Sequence, residues 1–231
     1  MKKNLLWLLV VLFMALGTTA SDAQNAQSRQ YVKNAIDGWN ECRSVAITKY
    51  NGNVALYGTN GYAMSGCPKG LTETIEKLNR EEDVYIDDVH LTEGGRWLVL
   101  YGMNGLTWYG IPYSLESKLR EFSSNNEIIT SVTFDDNGNW IAITQDYVAS
   151  SSADIQNFVM AGSEEYGQVW SACITNDAMI VVYEEGYRYV GNVPDSLLSA
   201  LNETTLDYYR IKIAGTSWFF ADRDGYYQYF M

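Results

Sequence analysis

One arrangement of apolar and polar positions runs through this chain in five copies. In the clearest copy, Asp88–Thr92 alternates polar and apolar, turns through Glu93–Arg96 and resumes at Trp97–Tyr101. A second turn at Gly102–Gly105 leads into Leu106–Gly110. Pro112 then opens a segment with apolar residues at Leu115, Leu119 and Phe122. Period-two alternation bounded by Gly/Asn turns predicts hairpin strands, and three- and four-residue spacing predicts helix. The unit reads as a three-stranded meander followed by a helix of about three turns.

The first copy runs Ser44–Thr48, Asn53–Tyr57 and Tyr62–Gly66, with a helix after Pro68. In the third, Ser131–Asp135 and Trp140–Thr144 are followed by a short strand at Tyr147 and a helix over about 152–161. There Ser151 or Ser152 replaces proline as a capping residue. The fourth runs Ser171–Thr175, Met179–Tyr183 and Tyr187–Gly191, with a helix after Pro194. The fifth runs Arg210–Ala214, Trp218–Asp222 and Tyr226–Phe230 without a helix after it. The chain's three prolines are separated by 44 and 82 residues, the second interval being two periods of 41. Each is placed at a first helical position, where proline's missing N–H is not needed and its fixed φ is already helical. A fixed period of this length signals a repeat architecture.

Residues 27–37 carry Tyr31, Val32, Ala35 and Ile36 at helical spacing and supply the helix that the fifth copy lacks. That balance predicts closure, with this helix beside Arg210–Ala214 or Trp218–Asp222, because an open stack would want polar caps at both ends. The expected fold is mainly β with helices, a closed five-unit ring resembling a five-bladed β-propeller. A pentein-like α/β propeller, with three strands and one helix per unit, is the alternative. Two short hairpin turns in every unit favour the propeller. The stretches "VHLTEGGRWLVLYGMNGLTWYGIPYSLESKL" and "IITSVTFDDNGNWIAI" resemble a recurrent type of bacterial secreted β-propeller-like repeat protein. The resemblance implies a propeller-like fold and no particular function, and it weakens in the third and fifth copies.

Ahead of the repeats, a basic start at Lys2 and Lys3, an apolar run over Leu5–Leu16 and small residues ending at Ala20 or Ala23 match a secretory signal peptide. The run is too short to span a bilayer comfortably. The expected organisation is a signal peptide over 1–23 and one five-unit repeat domain over 24–231, secreted or periplasmic, with no membrane insertion after cleavage. The formal net charge is −12, and losing Lys2 and Lys3 makes it −14. Such acidity repels phosphate backbones and argues against nucleic acid as a partner. Three cysteines are too few to build a disulfide framework. Cys42 and Cys67 fall at opposite ends of a meander, so no bridge between them is expected.

Candidate chemistry concentrates on the first strand of each copy. One face is apolar throughout: Val45/Ile47, Val89/Leu91, Val132/Phe134, Ala172/Ile174 and Ile211/Ile213. The other is small or polar, and it is charged at Asp88 and His90 and at Arg210 and Lys212. If these strands are innermost, that face borders the axis. Asp88, His90, Arg210 and Lys212 then form either an axial site for a small anionic or zwitterionic ligand, or a packed channel wall held by internal ion pairs. An axial site would lose its ligand, with folding largely intact, when His90 and Lys212 are both replaced by alanine. His90 is the sole histidine, which suits neither a zinc site nor a paired nucleophile and base. An enzyme centred on Asp88/His90, with Cys173 as a conceivable nucleophile, is therefore an alternative only. No catalytic residue, metal ligand or cofactor is assigned. Asp135–Asn139 begins like a calcium loop but lacks the distal carboxylate, and hairpin-turn chemistry explains it.

Aromatic residues are abundant, with 18 Tyr and 7 Trp. Trp97, Trp140 and Trp218 share one position in the unit and are expected between units. Tyr62, Trp108, Tyr147, Tyr187 and Tyr226 on or beside the third strands are the candidates for a sugar-stacking rim. The resulting expectation is a non-enzymatic binding module for a glycan or a protein partner, with a structural envelope component as a further alternative.

Overall fold

The computed structural model describes residues 26–50, 52–81 and 84–231. The expected leader at 1–23 lies outside the described residues. A helix over residues 26–39 (α1) precedes β1 (Ser44–Ala46), β2 (Asn53–Tyr57), β3 (Gly61–Ser65) and α2 (Lys69–Glu76), which runs into a π-helical turn at Lys77–Glu81. The second unit is β4 (Ile86–Leu91), β5 (Trp97–Tyr101), β6 (Gly105–Tyr109) and α3 (Tyr113–Ser124). The third is β7 (Ile129–Phe134), β8 (Trp140–Thr144), β9 (Val148–Ser150) and α4 (Ala153–Tyr166). The fourth is β10 (Val169–Ile174), β11 (Ala178–Tyr183), β12 (Tyr187–Gly191) and α5 (Asp195–Glu203). The fifth is β13 (Arg210–Ala214), β14 (Ser217–Ala221) and β15 (Tyr227–Phe230). Each unit forms its own three-stranded antiparallel sheet in sequence order, and among the described residues no sheet closes on itself.

Between third strand and helix, Gly66, Gly110 and Gly191 adopt φ of 68°, 70° and 80°, left-handed values that disfavour any side chain. Pro68, Pro112 and Pro194 come next, but as N-caps with ψ of 139°, 138° and 131°, one position before the helix begins. This corrects the expected first-turn placement. Proline's fixed φ serves both positions, while an extended ψ is needed to turn the chain from strand to helix. In α4 the cap is Ser152, whose hydroxyl accepts from the Ile155 N–H.

The helices wedge between successive sheets. Leu71 and Ile75 of α2 pack with residues of β2, β4 and β5. Leu115 and Leu119 of α3 pack with β5, β7 and β8, Val159 of α4 with β8, β10 and β11, and Leu197 and Leu201 of α5 with β11, β13 and β14. Val32 and Ile36 of α1 join Val45 and Ala55 of the first sheet to Ala214, Phe219 and Ala221 of the fifth. Tyr227 and Tyr229 add hydroxyl hydrogen bonds to Ile36 O and Asp37 Oδ1, and Arg29 Nη1 donates to Ser217 Oγ at 3.1 Å. The expected lodging of this helix beside β13 and β14 is thus observed. Trp140 and Trp218 are buried and donate their indole N–H groups to Ser114 and Ser196 of the preceding helices, each at 2.9 Å.

First strands lie against one another in succession, β1 with β4, β4 with β7, β7 with β10 and β10 with β13, while β13 and β14 also touch β1. They carry side-chain bonds from unit to unit. The Ile174 N–H donates to Thr133 Oγ1 at 2.9 Å, and the Ile213 N–H donates to Cys173 Sγ at 3.3 Å. All three cysteines are free.

Candidate functional site

Where the first strands converge, three of the four candidates, Asp88, Arg210 and Lys212, meet. Lys212 Nζ donates to Asp88 Oδ2 at 2.9 Å and to Val89 O at 3.4 Å, reaching past the first unit, whose residues there are Ser44 and Ala46. Ser44 Oγ donates to Asp88 Oδ1 at 2.5 Å. Arg210 Nη2 donates to Asp87 Oδ2 at 2.7 Å and Nη1 to Thr130 O at 2.6 Å, with Asp88 Oδ2 3.5 Å from Nη1. Two cations and two carboxylates neutralise one another there. Burial alone would push the Asp88 carboxyl up, but Lys212, Arg210 and the Ser44 hydroxyl hold it below the ordinary carboxylate range. Burial likewise opposes the Arg210 charge, and Asp88 and Asp87 outweigh it.

His90 is 6% exposed and its Nε2 lies 2.6 Å from Phe134 O. The Phe134 N–H also donates to Nε2, at 3.3 Å, so that nitrogen meets the Phe134 backbone in either tautomer. Among the described residues Nδ1 has no hydrogen-bond partner. Burial foremost, then the Lys212 charge, lowers the imidazole pKa to about 4, so His90 is neutral. The Cys173 thiol is pushed up by burial, and its sulfur pairs with the Ile213 backbone. Asp88, His90 and Cys173 are thus each engaged elsewhere rather than with one another, which gives the enzyme alternative no relay.

Above this cluster lies a cavity of about 200 Å³, lined at its floor by His90, Cys173 and Lys212. Its walls are Ile47, Leu91, Phe134, Ile174 and Ile213, the second apolar residue of every first strand. Sequence reasoning assigned that set wholly to packing; the five-fold equivalence was the signal that it borders a shared space. The first turn of each unit forms the mouth, at Lys49, Glu93, Asp136, Asn176 and Gly215. Turn bonds to turn: the Lys49 N–H donates to Glu93 Oε1, Thr92 Oγ1 to Asp136 Oδ1 at 2.7 Å, and the Asp136 N–H to Asn176 Oδ1 at 3.1 Å. Gly215 has no side chain to continue the series. Lys49 lies over it instead, so close that a Cβ on Gly215 would sit 2.6 Å from Lys49 Cε, and its ammonium reaches Asp177 at 3.8 Å.

Both Asp135 oxygens accept from Asn139, so that loop is a hairpin turn, and among the described residues no cluster of acidic, His and Cys side chains suits a metal ion. The aromatic candidates occupy three different registers. Tyr62 and Tyr187 sit opposite Leu56 and Val182, Trp108 sits opposite Leu98, and Tyr147 and Tyr226 precede their strands. Tyr62, Trp108 and Tyr187 pack against core clusters, while Tyr147 and Tyr226 are 59% and 63% exposed. They do not form one platform. No helix among the described residues is long and apolar enough to cross a membrane.

No family model and no curated protein matches the chain. Among solved structures, the C-terminal domain of gp131 from bacteriophage phiKZ is similar over 68% of this chain and 54% of that one, with 10% identity and a TM-score of 0.36. The chain spans about half of that protein's length, 54%, and likeness at this level carries nothing further.

Proposed function

We propose that the chain is an exported, non-enzymatic binding module built as a closed, propeller-like five-unit ring, and that it takes a protein partner at the mouth formed by its first turns. Closure is supported by α1, which fills between the fifth and first sheets the place that α2 to α5 fill between the others. The all-antiparallel order of every sheet favours a propeller-like over a pentein-like unit.

The observation that carries the binding reading is the cavity itself. It is apolar-walled and open to the first turns, and the Lys212 and Arg210 charges beneath it are already balanced by Asp88 and Asp87. At roughly 30 Å³ per water it has the volume of about seven waters, suited to one inserted side chain. The small anionic ligand first considered for this face is disfavoured, because no cation at the floor is left unneutralised and the mouth is acidic. A protein partner is favoured over a glycan because the five aromatic candidates lie at three different registers.

Selection of random phage-displayed peptides on residues 24–231, run beside a glycan array, tests this. Peptides are expected whose binding is lost when Asn176, on an exposed turn at the mouth, is replaced by tryptophan. Glycan binding that survives Asn176→Trp would overturn the reading.

A further inference from the structure

We propose that the partner presents a tyrosine, flanked by basic residues, whose phenol enters the cavity and meets His90 and Lys212. This rests on the binding reading above and names the side chain that the site takes. His90 lines the cavity with a nearly buried ring whose Nε2 is taken by the Phe134 backbone and whose Nδ1 has no hydrogen-bond partner among the described residues. Lys212 uses two of its three N–H groups, on Asp88 and Val89, and also lines the cavity. A phenol fits this pair with the imidazole in either tautomer: its oxygen accepts from the Lys212 ammonium, and it donates to a bare Nδ1 or accepts from an Nδ1–H.

The apolar walls suit the ring of that same side chain. Phe134 and four aliphatic residues from equivalent strand positions surround the space, and tyrosine combines an apolar body with a polar tip. A lysine or arginine tip would bring a second cation to Lys212, a carboxylate tip would leave a net negative charge in a buried site, and a phenylalanine would leave both polar atoms unmet. At the mouth, Glu93, Asp136 and Asp177 outnumber Lys49 and Arg96, whose Nε lies 3.9 Å from Asp136 Oδ1, in a chain of net charge −12. Residues flanking the tyrosine are therefore basic, which also speeds encounter.

The test is isothermal titration calorimetry of residues 24–231 with blocked pentapeptides: Lys-Lys-Tyr-Lys-Lys, its Phe counterpart and Glu-Glu-Tyr-Glu-Glu. Saturable binding of the first is expected. The Phe peptide should bind at least about tenfold more weakly, since a site built around a hydroxyl rejects the analogue lacking it. The acidic peptide should not bind. Asp177→Lys, at an exposed position that spares the core, should weaken the basic tyrosine peptide several-fold. Equal affinity for the Tyr and Phe peptides would overturn the phenol pairing, and comparable binding of the acidic peptide would overturn the charge claim. No binding by any of the three would overturn the inference as a whole. Selected peptides without tyrosine that still depend on the cavity would then uphold the binding reading alone.

Discussion

His90 is neutral because the site around it is buried and already holds the Lys212 ammonium; Asp88 and Asp136 lie near enough to oppose that shift without reversing it. Its folded pKa, about 4, is below the unfolded value of 6.5. The unfolded chain therefore takes up a proton first as pH falls. The stability contributed is fully present above pH 6.5 and is lost progressively down to about pH 4. A shift of this size is worth on the order of 3 kcal/mol. Urea denaturation at intervals from pH 7 to 4.5 should show midpoints falling with pH, and His90→Gln should flatten that slope. As the chain has one histidine, carboxylates dominate the remainder only at the acid end. An unchanged slope in the variant would contradict the buried neutral imidazole. Lys212 illustrates what sequence reading could not price. Removing one partner of a buried ion pair costs about 3–5 kcal/mol, so replacing His90 and Lys212 with alanine should destabilise the fold by an amount that urea denaturation reads.

Among the elements, α1 is the most consequential, since it has no sheet of its own sequence neighbourhood to cover except across the fifth and first units. Ile36 and Val32 are fully buried there. Ile36→Ala should cost about 2–5 kcal/mol, as for any buried large-to-small change in a packed core. Thermal and urea unfolding should place it beside Leu119→Ala in α3, whereas Tyr31→Ala on the exposed side of α1 should be near neutral. A silent Ile36→Ala would mean that α1 is an appendage. Strand and helix order was readable because the apolar periods switch cleanly between two and three-to-four. What escaped was the start of three first strands. Register shifts between Ile86 and Asp88, Ile129 and Ser131, and Val169 and Ser171 insert one extra residue, so the buried pairs Ile86/Val89, Ile129/Val132 and Val169/Ala172 are three apart. A bulge breaks alternation and re-aims the side chains beyond it, which hides the strand's beginning from a period-two reading. Asp87 stands at one such bulge and meets Arg210 there, a pairing that spacing alone did not suggest.

At the scale of the molecule, repeated units explain both what was legible and what was not. The five-fold equivalence revealed the scaffold and the strand faces, because every copy must solve the same packing problem. The site depends on where copies differ: Ser44 and Ala46 leave room for Lys212 to reach Asp88, and Gly215 leaves room for Lys49. Such departures have meaning only once the units are placed side by side, and that placement rests on closure. Double electron–electron resonance between spin labels at Gln30 of α1 and Thr216 before β14 measures it directly. Both positions are exposed and flank the Arg29–Ser217 hydrogen bond. Cys67→Ser removes the one half-buried native thiol, and Cys42 and Cys173 are too buried to label. The closed ring predicts one narrow distribution at the short end of the measurable range; a long or broad distribution would show the first and fifth units apart.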